Sequence, residues 1–372
     1  MSDTTIAVSP DVRRTISDKY RPVYADDLPT LEKTLRGSIS GTSDVVTAYE
    51  RSLAEWFDAK EAVAVSSGGA ALNVALYAVG IEAGNDVLLT PSCPLCTIYP
   101  IIAAGANPIF VDTRTHGFGA DPESVKRALT PRTKAIIDIP MWGYPTEVDE
   151  LYALTQSLGI KLILDLAHSH GTTLHGRPLS HFGDISCFST HERKPLATGE
   201  GGFILTGDAA LAQRSRDYSR FGNLNGKDFG LNYKLAALPA AIGHSRLASL
   251  SEQIAKRREN ARYLLSKLDS AKVREKRIID GGEPNYYFLN LELEFADNRA
   301  FIDYLDEAGI PSDIKRYGCK ALYEFPVLAK YRRACPNAEN LLASMTTIPV
   351  HPDITAAELD YMAAHINAYR GV

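Results

Sequence analysis

The chain has 372 residues, of which 45% are hydrophobic and 23% are charged, a balance typical of globular proteins with a sizeable core. The length predicts two or three domains, or one large domain with an appendage. The formal net charge of −5 gives no overall basic character of the kind that indicates nucleic-acid binding. The sequence has no run of eighteen apolar residues and no apolar segment behind a basic amino terminus. We therefore expect no membrane span, no nucleic-acid partner and a cytoplasmic location.

The predicted elements begin with a polar, irregular amino-terminal arm at residues 1–25. Residues 27–57 have helical periodicity, interrupted by the Gly/Ser-rich loop GSISGTSD. From residue 62 onward, short apolar runs typical of strands alternate with amphipathic segments typical of helices. The predicted strands cover residues 62–65, 86–90, 108–113, 135–140, 161–165, 184–190 and 201–207.

This alternation predicts an α/β fold with a mostly parallel central sheet and helices on both faces, in a large domain at residues 26–245. A long linking helix at about 234–270 is predicted to lead into a smaller α+β domain at 246–372. In parallel sheets, ligands bind at the carboxyl ends of the strands. Functional side chains are therefore expected at those ends.

The five cysteines are an odd and sparse set, which argues against a disulfide framework. Cys93 and Cys96 form a lone C-x-x-C pair. A redox or metal pair is one interpretation, but a zinc site needs two more ligands and no second pair follows. The other interpretation is a pair of small buried or cleft-lining residues, and we expect no metal.

A candidate anion-binding turn, Ser66 to Ala70, follows the first predicted strand and precedes a helix. Glycine allows a tight turn there, and the N–H groups at a helix amino terminus attract anions. Any strand-to-helix turn can carry two glycines, so the turn alone is also compatible with a purely structural role.

Asp165 ends the apolar strand KLILD, where a buried carboxylate must find a partner. A helix cap is one possible partner and a buried cationic nitrogen is another. His168 and His170 follow closely, so a metal site is a third interpretation, although no further ligand pattern supports it.

Lys194 lies between two predicted strands, just before the Gly-rich segment at 199–202. A single lysine is ordinarily a solvated surface residue. Lysine becomes a nucleophile toward an aldehyde where burial or neighbouring cations lower its pKa. His191 and Arg193 are close in the sequence and could contribute. A further polar segment with Asn232 opens the long predicted helix.

The order of these features is more specific than any one of them. The chain resembles fold-type I enzymes that use pyridoxal 5′-phosphate (PLP), and in particular the DegT/DnrJ/EryC1/StrS family of sugar and cyclitol aminotransferases. The resemblance runs from about residue 20 to the carboxyl terminus. The stretches that carry it are SSGGAALNVAL, GANPIFVDT, LDLAHSHGTTLHGRPLSHFGDISCFS, RKPLATGEGGFILTGD, GLNYKLAALPAAIG and IPVHPDIT.

The resemblance implies a role for each feature. Lys194 is implied to bind PLP as a Schiff base and to carry the proton during catalysis. Asp165 is implied to pair with the pyridine nitrogen, which keeps the ring able to accept electrons. His168 is implied to lie beside the 3′ oxygen. The residues implied at the phosphate are Gly68, Gly69, Ala70, Ser189 and Asn232. Asn232 matches a residue that comes from the neighbouring subunit, so a homodimer with shared active sites is also implied.

The chain departs from the family pattern at two places in this site. Gly69 stands where the family usually has Thr or Ser, so one hydroxyl contact to the phosphate is lost. An aromatic residue commonly stacks on the cofactor in the segment that here reads CPLC. Leu95 is predicted to take that stacking position, which supplies contact area without π-stacking.

The leading hypothesis is an aminotransferase that moves an amino group from glutamate or glutamine to a keto-sugar, free or nucleotide-linked, or to a keto-cyclitol. We expect it to act in secondary-metabolite or surface-glycan biosynthesis. The CPLC segment motivates an alternative, a PLP-dependent elimination, cyclisation, decarboxylation or oxidase-like reaction. A non-catalytic regulator is a third hypothesis, and the presence of both Lys194 and Asp165 speaks against it. The candidate substrate-binding residues are His191, Arg193, Arg220, Lys315, Arg316 and Tyr317.

Overall fold

The structure is a computed structural model that describes residues 14–294 and 298–370. Its strands are β1 (Glu61–Val65), β2 (Asp86–Leu89), β3 (Asn107–Phe110), β4 (Thr133–Asp138), β5 (Lys161–Asp165), β6 (Thr173–Leu174), β7 (Arg177–Pro178), β8 (Ile185–Ser189), β9 (Gly202–Thr206), β10 (Val273–Glu275), β11 (Gly282–Glu283), β12 (Leu289–Leu293) and β13 (Met345–Ile348). Its α-helices are α1 (Asp27–Leu35), α2 (Asp44–Trp56), α3 (Gly68–Ala78), α4 (Leu95–Ala103), α5 (Pro122–Ala128), α6 (Val148–Leu158), α7 (Ala209–Ser219), α8 (Ala237–Leu247), α9 (Leu250–Leu265), α10 (Asn298–Glu307), α11 (Pro336–Ala343) and α12 (Ala356–Ala368).

A seven-stranded sheet with the order β1-β9-β8-β5-β4-β2-β3 forms the centre of the large domain. The pairs from β3 through β2, β4 and β5 to β8 are all parallel. β9 runs antiparallel to both β8 and β1. The predicted α/β fold with a mostly parallel sheet is therefore confirmed. Because β5 pairs directly with β8, the residues that follow these two strands lie side by side at one edge.

Both faces of this sheet are buried, which explains why its strands read as continuous apolar runs. Side chains alternate between the faces along a strand. In β4, Ile136 belongs to one hydrophobic cluster and Ile137 to the other. β5 repeats the pattern, with Leu162 and Ile163 on opposite faces. The sheet therefore forms a rigid base for the residues at its carboxyl edge.

The prediction of one long linking helix at 234–270 is wrong. The structure has two helices there, α8 and α9, separated at residues 248–249. α8 packs on α1 and α2 beside the large sheet, whereas α9 packs on α12. Two partners in different directions require the chain to turn between the two helices. The sequence shows a continuous apolar periodicity there, and that periodicity carries no information about the partner.

A smaller sheet with the order β10-β12-β13 packs with α9, α10 and α12 around a separate hydrophobic cluster. Part of the carboxyl-terminal region packs on the large domain instead, since Tyr323 and Leu328 belong to the hydrophobic core of the large sheet. The predicted division of the chain at residue 246 stays a prediction. Within the described ranges, no helix is long and apolar enough to cross a membrane.

Candidate active site

A cavity lies where the carboxyl ends of β5 and β8 meet the amino terminus of α3. Its wall combines the glycine turn, the β5 aspartate and the lysine of the β8–β9 connection. The lining residues are Ser67, Gly68, Gly69, Leu72, Pro94, Cys96, Ile139, Asp165, Ala167, His168, Ser189, His191, Lys194, Glu200 and Tyr317. The structure thus brings together residues that are more than a hundred positions apart in the chain.

The glycine turn lies against Ser189 at one end of the cavity. The Ser67 hydroxyl caps α3 by accepting a hydrogen bond from the Ala70 N–H at 3.0 Å. A Cβ atom on Gly68 would lie 2.7 Å from the Ser189 Cβ, so only glycine fits there. The resulting pocket combines a helix amino terminus with the Ser189 hydroxyl, which is the chemistry that holds a phosphate.

Ala70 does not line this cavity, and its predicted place among the phosphate residues stays a prediction. It is 4% exposed and is not among the residues that line the cavity. Its N–H is already bonded to Ser67. A capped helix uses one of its first N–H groups in this way, and the sequence does not tell which one.

Asp165 is 4% exposed at the end of β5. Its carboxylate accepts hydrogen bonds from the Thr97 hydroxyl at 2.7 Å and from the Ala167 N–H at 3.2 Å. Burial raises the pKa of Asp165, whereas these two bonds and the nearby Lys194 oppose the shift. No ion pair within 4.0 Å involves Asp165 among the residues that the structure describes. A cationic group placed in the cavity next to this carboxylate would be stabilised by it.

His168 is 5% exposed and faces the same cavity. Its Nδ1 accepts a hydrogen bond from the Trp142 backbone N–H at 3.2 Å, which fixes the proton of the neutral ring on Nε2. Burial and the nearby Lys194 hold the pKa of His168 well below its ordinary value. The ring is therefore a neutral hydrogen-bond donor.

Lys194 lies in a turn in which its N–H donates to the His191 carbonyl oxygen at 2.8 Å. The turn is fastened where Thr190 and Thr198 share a hydrogen bond of 2.7 Å between their hydroxyls. A Cβ atom on Gly201 would lie 2.4 Å from the Thr190 hydroxyl, so this position also needs glycine. Desolvation lowers the pKa of Lys194 to about 8, despite the nearby Cys96, Asp313 and Asp165. The amine therefore has a larger uncharged, nucleophilic fraction at neutral pH than an ordinary lysine.

Cys96, rather than Leu95, faces the cavity at the start of α4. Leu95 packs as a partly buried residue against the core of the large sheet. The cavity lining thus includes Cys96 and not Leu95, and the stacking role of Leu95 stays a prediction. All five cysteines are free thiols, and the described residues contain no group of three or more metal ligands.

The candidate substrate residues fall into two groups. His191 and Tyr317 line the cavity. The others lie outside its lining and have acidic partners: Arg193 with Asp18 and Asp313, Arg220 with Glu50, Lys315 with Asp303 and Asp306, and Arg316 with Asp18 and Asp313. Charges already paired in this way are poor anchors for an anionic substrate.

The sequence analysis missed three residues at or beside the site. Glu200 lines the cavity and lies 3.7 Å from His191. Asp313 is 4% exposed and accepts a hydrogen bond from the Trp142 indole at 2.9 Å. The ring of Tyr287 packs against both Lys194 and His168. The adjacency of Glu200 to the glycine segment was a usable signal, whereas Asp313 and Tyr287 reach the site only through tertiary packing.

The fold and this cavity together define a PLP-dependent transferase of fold type I. The chain belongs to the DegT/DnrJ/EryC1/StrS aminotransferase family, whose family model matches residues 23–367. It is therefore a PLP-dependent aminotransferase. Family membership supports transamination over the alternative PLP reactions and over a non-catalytic regulator.

Two curated relatives indicate the range of the family. GDP-perosamine synthase of Escherichia coli O157:H7 is 27% identical over 363 residues, which cover 94% of this chain and 99% of the relative. Protein MosB of Rhizobium meliloti is 38% identical over 187 residues, which cover 50% of this chain and 37% of MosB.

Solved structures give the same fold. The sugar aminotransferase CalS13 of Micromonospora echinospora is similar with a TM-score of 0.87 and 25% identity, over 95% of this chain and all of CalS13. DesI, crystallised with its TDP-sugar product, gives a TM-score of 0.89 at 24% identity, over 97% of this chain and 94% of DesI. At 24% identity, the likeness to DesI carries the fold alone.

Proposed function

We propose that this aminotransferase moves an amino group from glutamate or glutamine to a keto-sugar, free or nucleotide-linked, or to a keto-cyclitol. Two relatives support the sugar substrate, the GDP-perosamine synthase of Escherichia coli and the UDP-2-acetamido-2-deoxy-3-oxo-D-glucuronate aminotransferase of Pseudomonas aeruginosa. We place the reaction in glycan or natural-product biosynthesis. The observation that carries the proposal is the joint position of Asp165 and Lys194 on the wall of one cavity.

The residues of the cavity fit PLP at both of its ends. The turn at Gly68 and Gly69, with the Ser189 hydroxyl, offers a cradle for the phosphate. Asp165, buried without a cationic partner among the described residues, offers the counter-charge for a protonated pyridine nitrogen. When bound there, PLP supplies an electron sink for the carbanion of the amino-acid donor.

The remaining chemistry belongs to the side chains. Lys194 would hold the cofactor, and its free amine would take up and return the proton that each half-reaction moves. Its lowered pKa places the amine near balance between its two protonation states, where general acid–base catalysis is most effective. His168 would offer its Nε2–H as a hydrogen-bond donor to the 3′ oxygen. Cys96, which lines the cavity, would offer contact area to the cofactor.

A homodimer with shared active sites is the second part of the proposal. The segment at 221–231 exposes four large apolar side chains to solvent: Phe221 at 42%, Leu224 at 83%, Phe229 at 67% and Leu231 at 37%. A concentration of exposed apolar area indicates an interface. Asn232 directly follows this segment and is exposed. Its side-chain oxygen accepts a hydrogen bond from the Lys234 ammonium at 2.6 Å. A second copy seated on this segment would leave Asn232 able to reach the partner's phosphate. The cytoplasmic location stays a prediction.

The proposal is tested by incubating the enzyme with glutamate or glutamine and a panel of nucleotide-linked keto-sugars, free keto-sugars and keto-cyclitols. We expect one keto class to yield an amino product in a one-to-one ratio with the oxidised donor. The Lys194→Ala variant, run in parallel, is expected to give no product while keeping its fold by circular dichroism. Normal turnover by that variant would exclude the proposed role of Lys194.

A further inference from the structure

Tyr287 lies directly behind the reactive lysine, in the segment that leads into β12. It is 5% exposed. The Lys194 Nζ lies 4.9 Å from the centre of the Tyr287 ring, over its face. The ring centres of Tyr287 and His168 are 4.7 Å apart with an interplanar angle of 31°. One aromatic ring therefore contacts both the lysine and the histidine of the site.

Tyr287 is held in place through its backbone. Its N–H donates to the Asn285 Oδ1 at 2.8 Å, and its carbonyl oxygen accepts from the Arg257 guanidinium at 3.2 Å. The Asn285 amide in turn donates to the carbonyl oxygens of His168 and His170, each at 2.9 Å. Asn285 thus joins Tyr287 to the segment that follows β5.

We propose that Tyr287 is a positioning residue that holds the Lys194 amine against the face of its ring and favours the protonated state of that amine. The negative face of an aromatic ring attracts a cation, and the attraction is stronger where water is excluded. The inference rests on the proposed transamination, in which Lys194 must briefly carry a proton. A ring at this place would stabilise the ammonium at that moment without itself bonding to the substrate.

The other charged and titratable groups around Lys194 set the background for this effect. Arg193 disfavours the ammonium, whereas Cys96, Asp313 and Asp165 favour it, and the two buried histidines are neutral. These groups are Cys96 from α4, Asp165 from β5, His168 and His170 after β5, Arg193 beside the lysine, and Asp313 with Tyr317 from the 3₁₀ turn at 313–317. The Tyr287 hydroxyl also has a hydrogen bond to Arg193, which Tyr287→Phe removes while it keeps the ring. Comparison of Tyr287→Phe with the ring-free variants therefore assigns a shift to the ring.

The test measures the protonation midpoint of Lys194 in the full-length chain after removal of the cofactor, by acetic anhydride labelling across pH and peptide mass spectrometry. The wild type is expected near 8. Tyr287→Phe keeps the ring and should keep this midpoint. Tyr287→Leu removes the ring and should lower the midpoint by about one unit. Tyr287→Met, another ring-free side chain that fills irregular space, gives the same test if the leucine variant does not fold.

The sign of the shift separates the proposal from a packing role. Simple loosening of the site admits water and moves the midpoint up, toward the ordinary lysine value of 10.5. A midpoint in the ring-free variants that rises or does not move would overturn the proposal. Tyr286→Leu is the matched control, since Tyr286 is 7% exposed but packs on Tyr144 instead. It should lower thermal stability and leave the Lys194 midpoint unchanged.

Turnover gives an independent second measurement. The ring-free variants should lose about tenfold in kcat with little change in the donor KM, and Tyr287→Phe should stay within about threefold of wild type. A tenfold loss in the phenylalanine variant would assign the effect to the hydroxyl and contradict the proposal. If no donor supports turnover in the wild type, the proposed function fails, while the labelling result still decides the role of Tyr287.

Discussion

Asp165 and Lys194 show what a single residue can disclose before the fold is known. Asp165 ends a strand, and Lys194 lies in the turn between β8 and β9. A buried charged side chain needs a specific partner. Their order along the chain, together with the resemblance to the family, was sufficient to nominate them. Cys96 and Tyr287 could not be nominated in this way. Which residue of CPLC faces the cavity depends on the rotation of α4 at its first turn, and Tyr287 reaches Lys194 from another part of the chain.

Burial of the Lys194 amine lowers the stability of the folded protein by an amount that depends on pH. Its pKa is about 8 in the folded protein and 10.5 for an ordinary lysine. Between these pH values the unfolded chain binds a proton that the folded chain does not. Stability therefore falls as pH is lowered from 10.5 to 8, and the penalty is complete below 8.

Lys194→Met is accordingly expected to stabilise the cofactor-free protein. At pH 7 the gain should be roughly 2 kcal/mol, after allowance for the solvent that enters an open cavity. The gain should shrink as the pH rises from 8 toward 10. Urea unfolding at several pH values measures it, and a gain that does not change with pH would contradict the lowered pKa.

At the scale of elements, local turns were easier to predict from the sequence than the elements on which each helix packs. The glycine turn at the amino terminus of α3 was predicted, because glycines that follow a strand and open a helix have a local cause. The break between α8 and α9 was missed, because its cause is the direction of two packing partners. The same limit applies to Ala70, whose N–H is used by the Ser67 cap.

The two glycines of this turn should respond differently to alanine. In Gly68→Ala, the new Cβ would lie 2.7 Å from the Ser189 Cβ, and we expect a loss of about 1–3 kcal/mol in stability. In Gly69→Ala, the new Cβ would meet only the Ser67 hydroxyl at 3.8 Å, and we expect a gain of about 0.5 kcal/mol.

Urea unfolding of the cofactor-free variants makes this comparison without interference from the phosphate. Equal stability of the two variants would show that Gly68 and Ser189 are not in close contact. PLP titration of the same variants then reports on the cradle itself, and Gly68→Ala should bind the cofactor more weakly than wild type.

For the whole molecule, alternation of strands and helices was enough to predict the α/β fold with its mostly parallel sheet. It was not enough to predict that residues near Tyr323 pack back onto the large sheet. The ion pairs of Arg193 and Arg316 could not be predicted without the complete fold, since their shared partner Asp18 lies in the amino-terminal region.

The proposed dimer gives a prediction at this scale. Leu224→Asp places a charge on the exposed segment at 221–231 and should raise the dimer dissociation constant by at least about tenfold, equivalent to 1.4 kcal/mol. Because Asn232 is proposed to serve the partner's site, the variant should also bind PLP more weakly. Val327→Asp, at a side chain 59% exposed elsewhere, is the control. Sedimentation velocity measures both, and an equal effect of the two variants would contradict the proposed interface.

The central claim is that Lys194 holds PLP and that the bound cofactor accepts an amino group. The most direct measurement is the absorbance spectrum of the purified protein before and after glutamate or glutamine is added, for wild type and Lys194→Ala. We expect wild type to show a band at the edge of the visible range that one donor converts to the spectrum of the pyridoxamine form, and we expect the variant to lack that band. A band that persists in Lys194→Ala, or one that no amino-acid donor converts, would contradict the account.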